Sequence, residues 1–80
     1  MTNDLSASVI ASVAAEVRAE LARKQLSQDK LASLIGCSRQ SLSRRLTGAT
    51  AFDVAELAVV AEALDVPVAK FLPAAPANTA

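Results

Sequence analysis

Only three residues, Gly36-Cys37-Ser38, separate two short stretches that each read as an amphipathic helix, and this break limits the fold more than any other feature of the chain. The first stretch begins at Gln28, with Ser27 placed to cap it and Leu31, Leu34 and Ile35 on its buried side. It has to end at Gly36, because glycine takes the left-handed conformation that closes a helix without a Cβ penalty. Ser38 then caps a second helix, whose buried edge is Leu42 and Leu46 and whose end is Gly48. An apolar residue before each cap, Leu26 and Cys37, meets one inside the helix, Leu31 and Leu42, as a hydrophobic staple. Two short helices joined by so short a turn cross at about 90–120°, the geometry of a helix-turn-helix. Ala32 suits that crossing, where a side chain facing the next helix has to be small.

The flanking segments read as further helices. Upstream, Leu5, Val9, Val13, Val17 and Leu21 recur every four residues along one face with Ile10 beside them, and Arg23 and Lys24 suit a helix C-terminus. Downstream, Asp53 and Glu56 form a capping box, Phe52 and Leu57 a staple, and Leu57, Val60, Ala61 and Leu64 a buried stripe. Pro67 suits the first turn of a short last helix carrying Val68, Phe71 and Leu72, which closes the core as a lid. Hydrophobic residues make up 52% of the chain and aromatics only 2%, a balance that favours small-residue helix packing over a sheet. The expected fold is all-α, a compact bundle of about five helices in one domain, since 80 residues are too few for two cores. Residues 13–72 form the domain, residues 1–12 extend its first helix, and residues 73–80 are expected to be disordered.

Several function classes fall away on composition. Leu5 to Ala15 is short of the roughly 20 apolar residues of a membrane span, and no Lys or Arg precedes Arg18 to make a secretory signal, so a cytoplasmic protein is expected. One cysteine and no histidine leave neither a disulfide, a metal site nor a Cys-His pair, and Cys37 reads as an apolar filler in its staple. The carboxylates Glu16, Glu20, Asp53 and Glu56 have ordinary roles on a helix surface or at a cap, so no enzyme, cofactor or small-molecule ligand is expected. A net charge of zero argues by itself against nucleic acid. Its distribution argues the other way: residues 1–50 carry seven basic and four acidic groups, whereas the remainder carries Lys70 alone against four acidic groups.

The segment SQDKLASLIGCSRQSLSRRLTG, residues 27–48, resembles the XRE family of phage repressor and Cro-like helix-turn-helix proteins, and the layout from Val13 to Leu72 is similar to theirs. The resemblance implies a lambda-repressor-like fold that reads the major groove of double-stranded DNA with the second helix of the motif. It assigns Gln28 to buttressing that helix and to phosphate, Ser38 to the DNA backbone, and Arg39, Gln40 and Arg44 to base edges. The residues themselves agree: Gln40, Ser43, Arg44 and Thr47 lie opposite Leu42 and Leu46, and Arg39 sits at the protruding first turn. Arginine can pair bidentately with guanine and glutamine with adenine, while Ser43 and Thr47 suit secondary or phosphate contacts.

Two positions depart from the family pattern. Arg45 stands where such helices bury an aliphatic residue, a role that Leu46 takes one position later, which leaves Arg45 without an assignment. The loop Ala49-Thr50-Ala51 lacks the basic residues that some relatives place on phosphate, so weak monomer binding and a homodimer on two half-sites are expected. The extension Leu5 to Ser12 is either the dimer contact or packs on its own bundle. The function so implied is a sequence-specific transcriptional repressor on a palindromic operator. The rival is an antitoxin-like or adaptor module that uses the same fold on a partner protein; RNA ranks last, because neither Phe52 nor Phe71 is expected to be exposed for stacking.

Overall fold

Ser27, Ser38 and Asp53, the three residues expected to start helices, all hold extended backbone and accept a hydrogen bond from the amide three residues on. The distances are 3.0 Å from Lys30, 3.1 Å from Ser41 and 2.7 Å from Glu56. Glu56 returns the bond, its Oε1 accepting from the Asp53 amide at 2.9 Å, which completes the capping box.

The structure is a computed structural model and describes residues 4–73. Among them are four α-helices, α1 (Asp4–Lys24), α2 (Gln28–Ile35), α3 (Arg39–Thr47) and α4 (Val54–Leu64), followed by a 3-10 turn at Val68–Phe71, and no strand. The expected all-α bundle is therefore present, with four helices rather than five. The fifth is a single tight turn, because Pro67 gives no capping side chain and Pro73 follows at once. The tail expected to be disordered lies, apart from Pro73, outside the described residues.

Helix ends are set by backbone sign. Gly36 and Gly48 close α2 and α3 at φ values of 76° and 86°, conformations that cost a residue with a Cβ about 1–2 kcal/mol. Gln25 and Asp65 take the same left-handed conformation after α1 and α4, at 55° and 59°.

The core is formed by Val13, Ala14, Val17 and Leu21 of α1, Leu31 and Ala32 of α2, Leu42 and Leu46 of α3, and Leu57, Val60, Ala61 and Leu64 of α4. Phe71 is fully buried and closes the core from the 3-10 turn, against α1 and α4. Leu26, Cys37 and Phe52, the outer members of the three staples, pack against its edge. Helix α1 packs on α3, α4 and the turn, and α2 on α3 and α4, so the motif rests on both outer helices.

Four expectations about burial need correction, the first being that Val68 and Leu72 of the last turn are exposed and Phe71 alone enters the core. Leu34 is exposed rather than buried, because Ala32, one residue after Leu31, takes the inner position of α2. The four-residue stripe of α1 is buried only from Val13 onward. A spacing of four drifts by about 40° per step around a 3.6-residue helix, and Leu5 and Val9, 80% and 44% exposed, fall outside the bundle. Glu20, taken as a surface carboxylate, is 4% exposed. Its Oε1 accepts from Arg23 at 2.5 Å and lies 3.9 Å from Lys70, which ties the 3-10 turn to α1.

Candidate nucleic-acid interface

Leu42 and Leu46 fix the rotation of α3 by sinking fully into the core, which directs the opposite side of this nine-residue helix outward. Gln40, Arg44 and Thr47 are exposed on that side, with Ser43 half-buried at its margin, while Arg39 is exposed at the first turn of the helix. Positions 40, 43, 44 and 47 follow the three- and four-residue spacing of helix neighbours, so these side chains form one continuous strip.

The other two candidates flank the start of the strip. Ser38 is exposed, and its Oγ serves the Ser41 amide. Gln28 is half-buried at the first position of α2. Asp29, its neighbour, lies 3.4 Å from Arg39 Nε, so the first turns of α2 and α3 meet at their ends. The Asp29–Arg39 contact places the start of α2, where Gln28 lies, beside the start of α3, where Ser38 and Arg39 lie. Within the strip the Thr47 hydroxyl donates to the Arg44 carbonyl at 3.0 Å, which occupies it locally.

The electrostatics suit an anion. No acidic residue occupies the first turn of α3, so its amide end keeps its partial positive charge. Arg44 has no acidic partner within ion-pair distance among the described residues, and Arg39 has only the exposed Asp29.

Arg45 does not belong to this strip. It turns toward α4, its side chain 22% exposed, where Nε donates to Oε1 of Glu56 at 3.0 Å and Nη2 lies 2.9 Å from Oε2 in an ion pair. Nη1 donates to the carbonyl and hydroxyl oxygens of Ser41 at 3.0 and 2.5 Å. The hydrogen bond from Arg45, and after it the Asp53 amide, hold the Glu56 carboxyl below its usual range against the opposing effect of burial. Glu56 in turn raises the already high pKa of Arg45.

Arg18 is the second residue that sequence reasoning passed over. From α1 its Nη1 donates to the carbonyl of Leu46, in the last turn of α3. The two arginines thus hold α3 from α1 and from α4. The only sequence trace of either was the anomaly of a cation at position 45, with Glu56 eleven residues on.

A short, doubly capped helix held by its neighbours, with a cationic and amide-bearing strip outward, defines a helix-turn-helix DNA-binding protein. The chain belongs to the XRE-type helix-turn-helix family (HTH_3), whose profile matches residues 17–71. This is a family of non-enzymatic DNA-binding transcription regulators. Among solved structures, the clp gene regulator ClgR from C. glutamicum is similar at a TM-score of 0.74 with 28% identity, over 76% of this chain and 79% of that one. The restriction-modification controller protein C.AhdI from Aeromonas hydrophila shares the fold at a TM-score of 0.75 with 24% identity, over 79% of this chain and 96% of that one. No curated protein matches the chain in sequence. No helix among the described residues is long and apolar enough to cross a membrane.

Proposed function

We propose that the protein is a sequence-specific transcriptional repressor of phage or bacterial type that binds a short palindromic operator as a homodimer. Arg39, Gln40 and Arg44 read base edges, and Gln28, Ser38, Ser43 and Thr47 contact phosphate or secondary groups. The observation that carries this reading is the outward strip of α3, which holds cations and amides and takes no part in the core. Binding of a regular duplex by such a strip follows the usual docking of a recognition helix in the major groove.

The dimer reading is supported by exposed apolar side chains: Leu5, Val9, Val54 and Leu72 are 80%, 44%, 84% and 47% exposed. Val9, Val54 and Leu72 border a shallow cleft of about 150 Å³ with Ile10 and Phe52. Leu5 and Val9 belong to the extension and lie outside the core. The same side chains support a second reading, a module that docks on another protein, together with the uncharged loop Ala49-Thr50-Ala51.

Fluorescence anisotropy against the DNA upstream of the gene and a scrambled duplex, at several salt concentrations, separates the two readings. Preference for the upstream DNA that survives rising salt is expected, and Gln40→Ala or Arg44→Ala should abolish it while leaving the helical circular dichroism spectrum intact. Equal, salt-fragile binding to both duplexes would favour the protein-docking reading. Sedimentation of the free protein tests the dimer.

A further inference from the structure

We infer that Arg45 and Glu56 are a positioning pair for the recognition helix: their ion pair sets how α3 sits against α4, and Arg45 itself makes no contact with DNA. The inference rests on α3 being the reading helix and adds to it the residues that hold that helix in place.

Arg45 follows Arg44 in sequence, but one residue is a rotation of about 100° around a helix. Arg44 therefore faces outward while Arg45 lies against α4. All three guanidinium nitrogens of Arg45 are engaged, two on Glu56 and one on Ser41 of its own helix. A planar fork matched to both oxygens of a carboxylate is more specific in geometry than a point charge. Glu56 is fixed as well, since the oxygen that accepts from Arg45 Nε also accepts from the Asp53 amide. A continuous chain of bonds therefore runs from Ser41 through Arg45 and Glu56 to the start of α4.

Packing shows why such a strut is needed. Helix α3 leans chiefly on α1 and α2, whereas α4 leans on α1, α2 and the 3-10 turn. Between the end of α2, the turn of the motif and α4 lies a surface cavity of about 300 Å³ bounded by Ile35, Cys37, Arg45, Phe52, Glu56 and Val59. Apolar side chains do not fill this side, and the ion pair lines it. Leu46 takes the inward position that an aliphatic residue at 45 would hold, which frees Arg45 for this role.

The test uses the full chain with a duplex selected from random sequence by the wild-type protein, a scrambled duplex as reference, and Arg45→Ala, Glu56→Gln and the double variant. Gln retains an oxygen for the Asp53 amide but removes the charge and the second acceptor of the Arg45 fork. Binding is read by anisotropy at several salt concentrations, at a temperature where each variant is fully folded by circular dichroism. Each single change is expected to lower the preference for the selected duplex about three- to ten-fold, and the double variant no further than the worse single one, as for coupled residues. The salt dependence should stay that of wild type. A role confined to stability would shift the melting temperature and leave the preference unchanged, which overturns the inference. So does a fall of about 0.9 in the slope of log affinity against log salt for Arg45→Ala, the mark of a lost phosphate contact. If Arg45→Ala does not fold, Glu56→Gln alone decides by the same readouts. A wild-type protein that selects no duplex removes the DNA-reading proposal and this one with it, whereas selection by wild type and variants alike removes only this one.

Discussion

The Arg18 guanidinium of α1 donates to the carbonyl of Leu46, twenty-eight residues further on, at the C-terminal turn of α3. Carbonyls in the last turn of a helix lack intrahelical partners, and a cation there also offsets the negative end of the helix dipole. A contact so remote in sequence joins the first helix to the end of the third. Replacing Arg18 by Ala should therefore destabilise the fold by about 1 kcal/mol, the typical net contribution of an intramolecular hydrogen bond. Urea unfolding followed by circular dichroism measures it, and Arg18→Lys should recover part of the loss.

Leu31 and Leu34 belong to one helix and differ in burial, 0% against 52% exposed. Leu31→Ala should cost about 2–5 kcal/mol, as a cavity in a small core does. Leu34→Ala should stay within about 0.5 kcal/mol of wild type. Equal losses in thermal melts of the two variants would contradict the orientation of α2 described above.

Acid should loosen the contact between α3 and α4. The Glu56 carboxyl is held below its ordinary value of 4.5, chiefly by the hydrogen bond from Arg45. A group whose pKa is lowered by folding adds stability that is present above its unfolded value and is lost as pH falls through the folded one. Below about pH 4.5 wild type should thus lose stability faster than Glu56→Gln. Melting temperatures compared between pH 6 and pH 3 should converge if the pair contributes as described.

Asp29 stands 3.4 Å from Arg39, with both side chains largely exposed. So exposed a pair adds little to stability, and its expected effect is on DNA. Asp29→Ala should leave the melting temperature nearly unchanged and tighten binding to all duplexes, because a negative charge beside the phosphates is removed and Arg39 is freed. Preference for the operator over a scrambled duplex should fall, which anisotropy on the two duplexes checks.

The residues that sequence alone made legible are those with local causes. Ser27, Ser38, Asp53, Gly36 and Gly48 act within one helical turn of themselves, and each starts or stops the helix expected of it. Leu42 and Leu46 determine which side of α3 faces out, and that inference needs only the helical period. Burial set by distant packing was harder to read. Leu34 has the right spacing for the core, but no helix among the described residues covers its side of α2. Glu20 is buried because Arg23 and Lys70 close over it, and Lys70 arrives from the far end of the chain. Arg45 and Glu56 carry two local readings, a helix-face cation and a capping residue, and neither reveals that they bind each other. Of the seven candidate DNA contacts, Gln40, Ser43, Arg44 and Thr47 share the outward side of α3, with Ser38 and Arg39 at its start and Gln28 at the start of α2.

Along α3 the two tasks of a recognition helix are divided between different side chains. Leu42, Leu46 and Arg45 carry the attachment to the rest of the molecule, while Gln40 and Arg44 carry none of it and Arg39 meets only the exposed Asp29. Mutations at the outer positions can accordingly accumulate without a toll on folding, so descendants of such a gene are free to drift toward new target sequences while the scaffold stays the same.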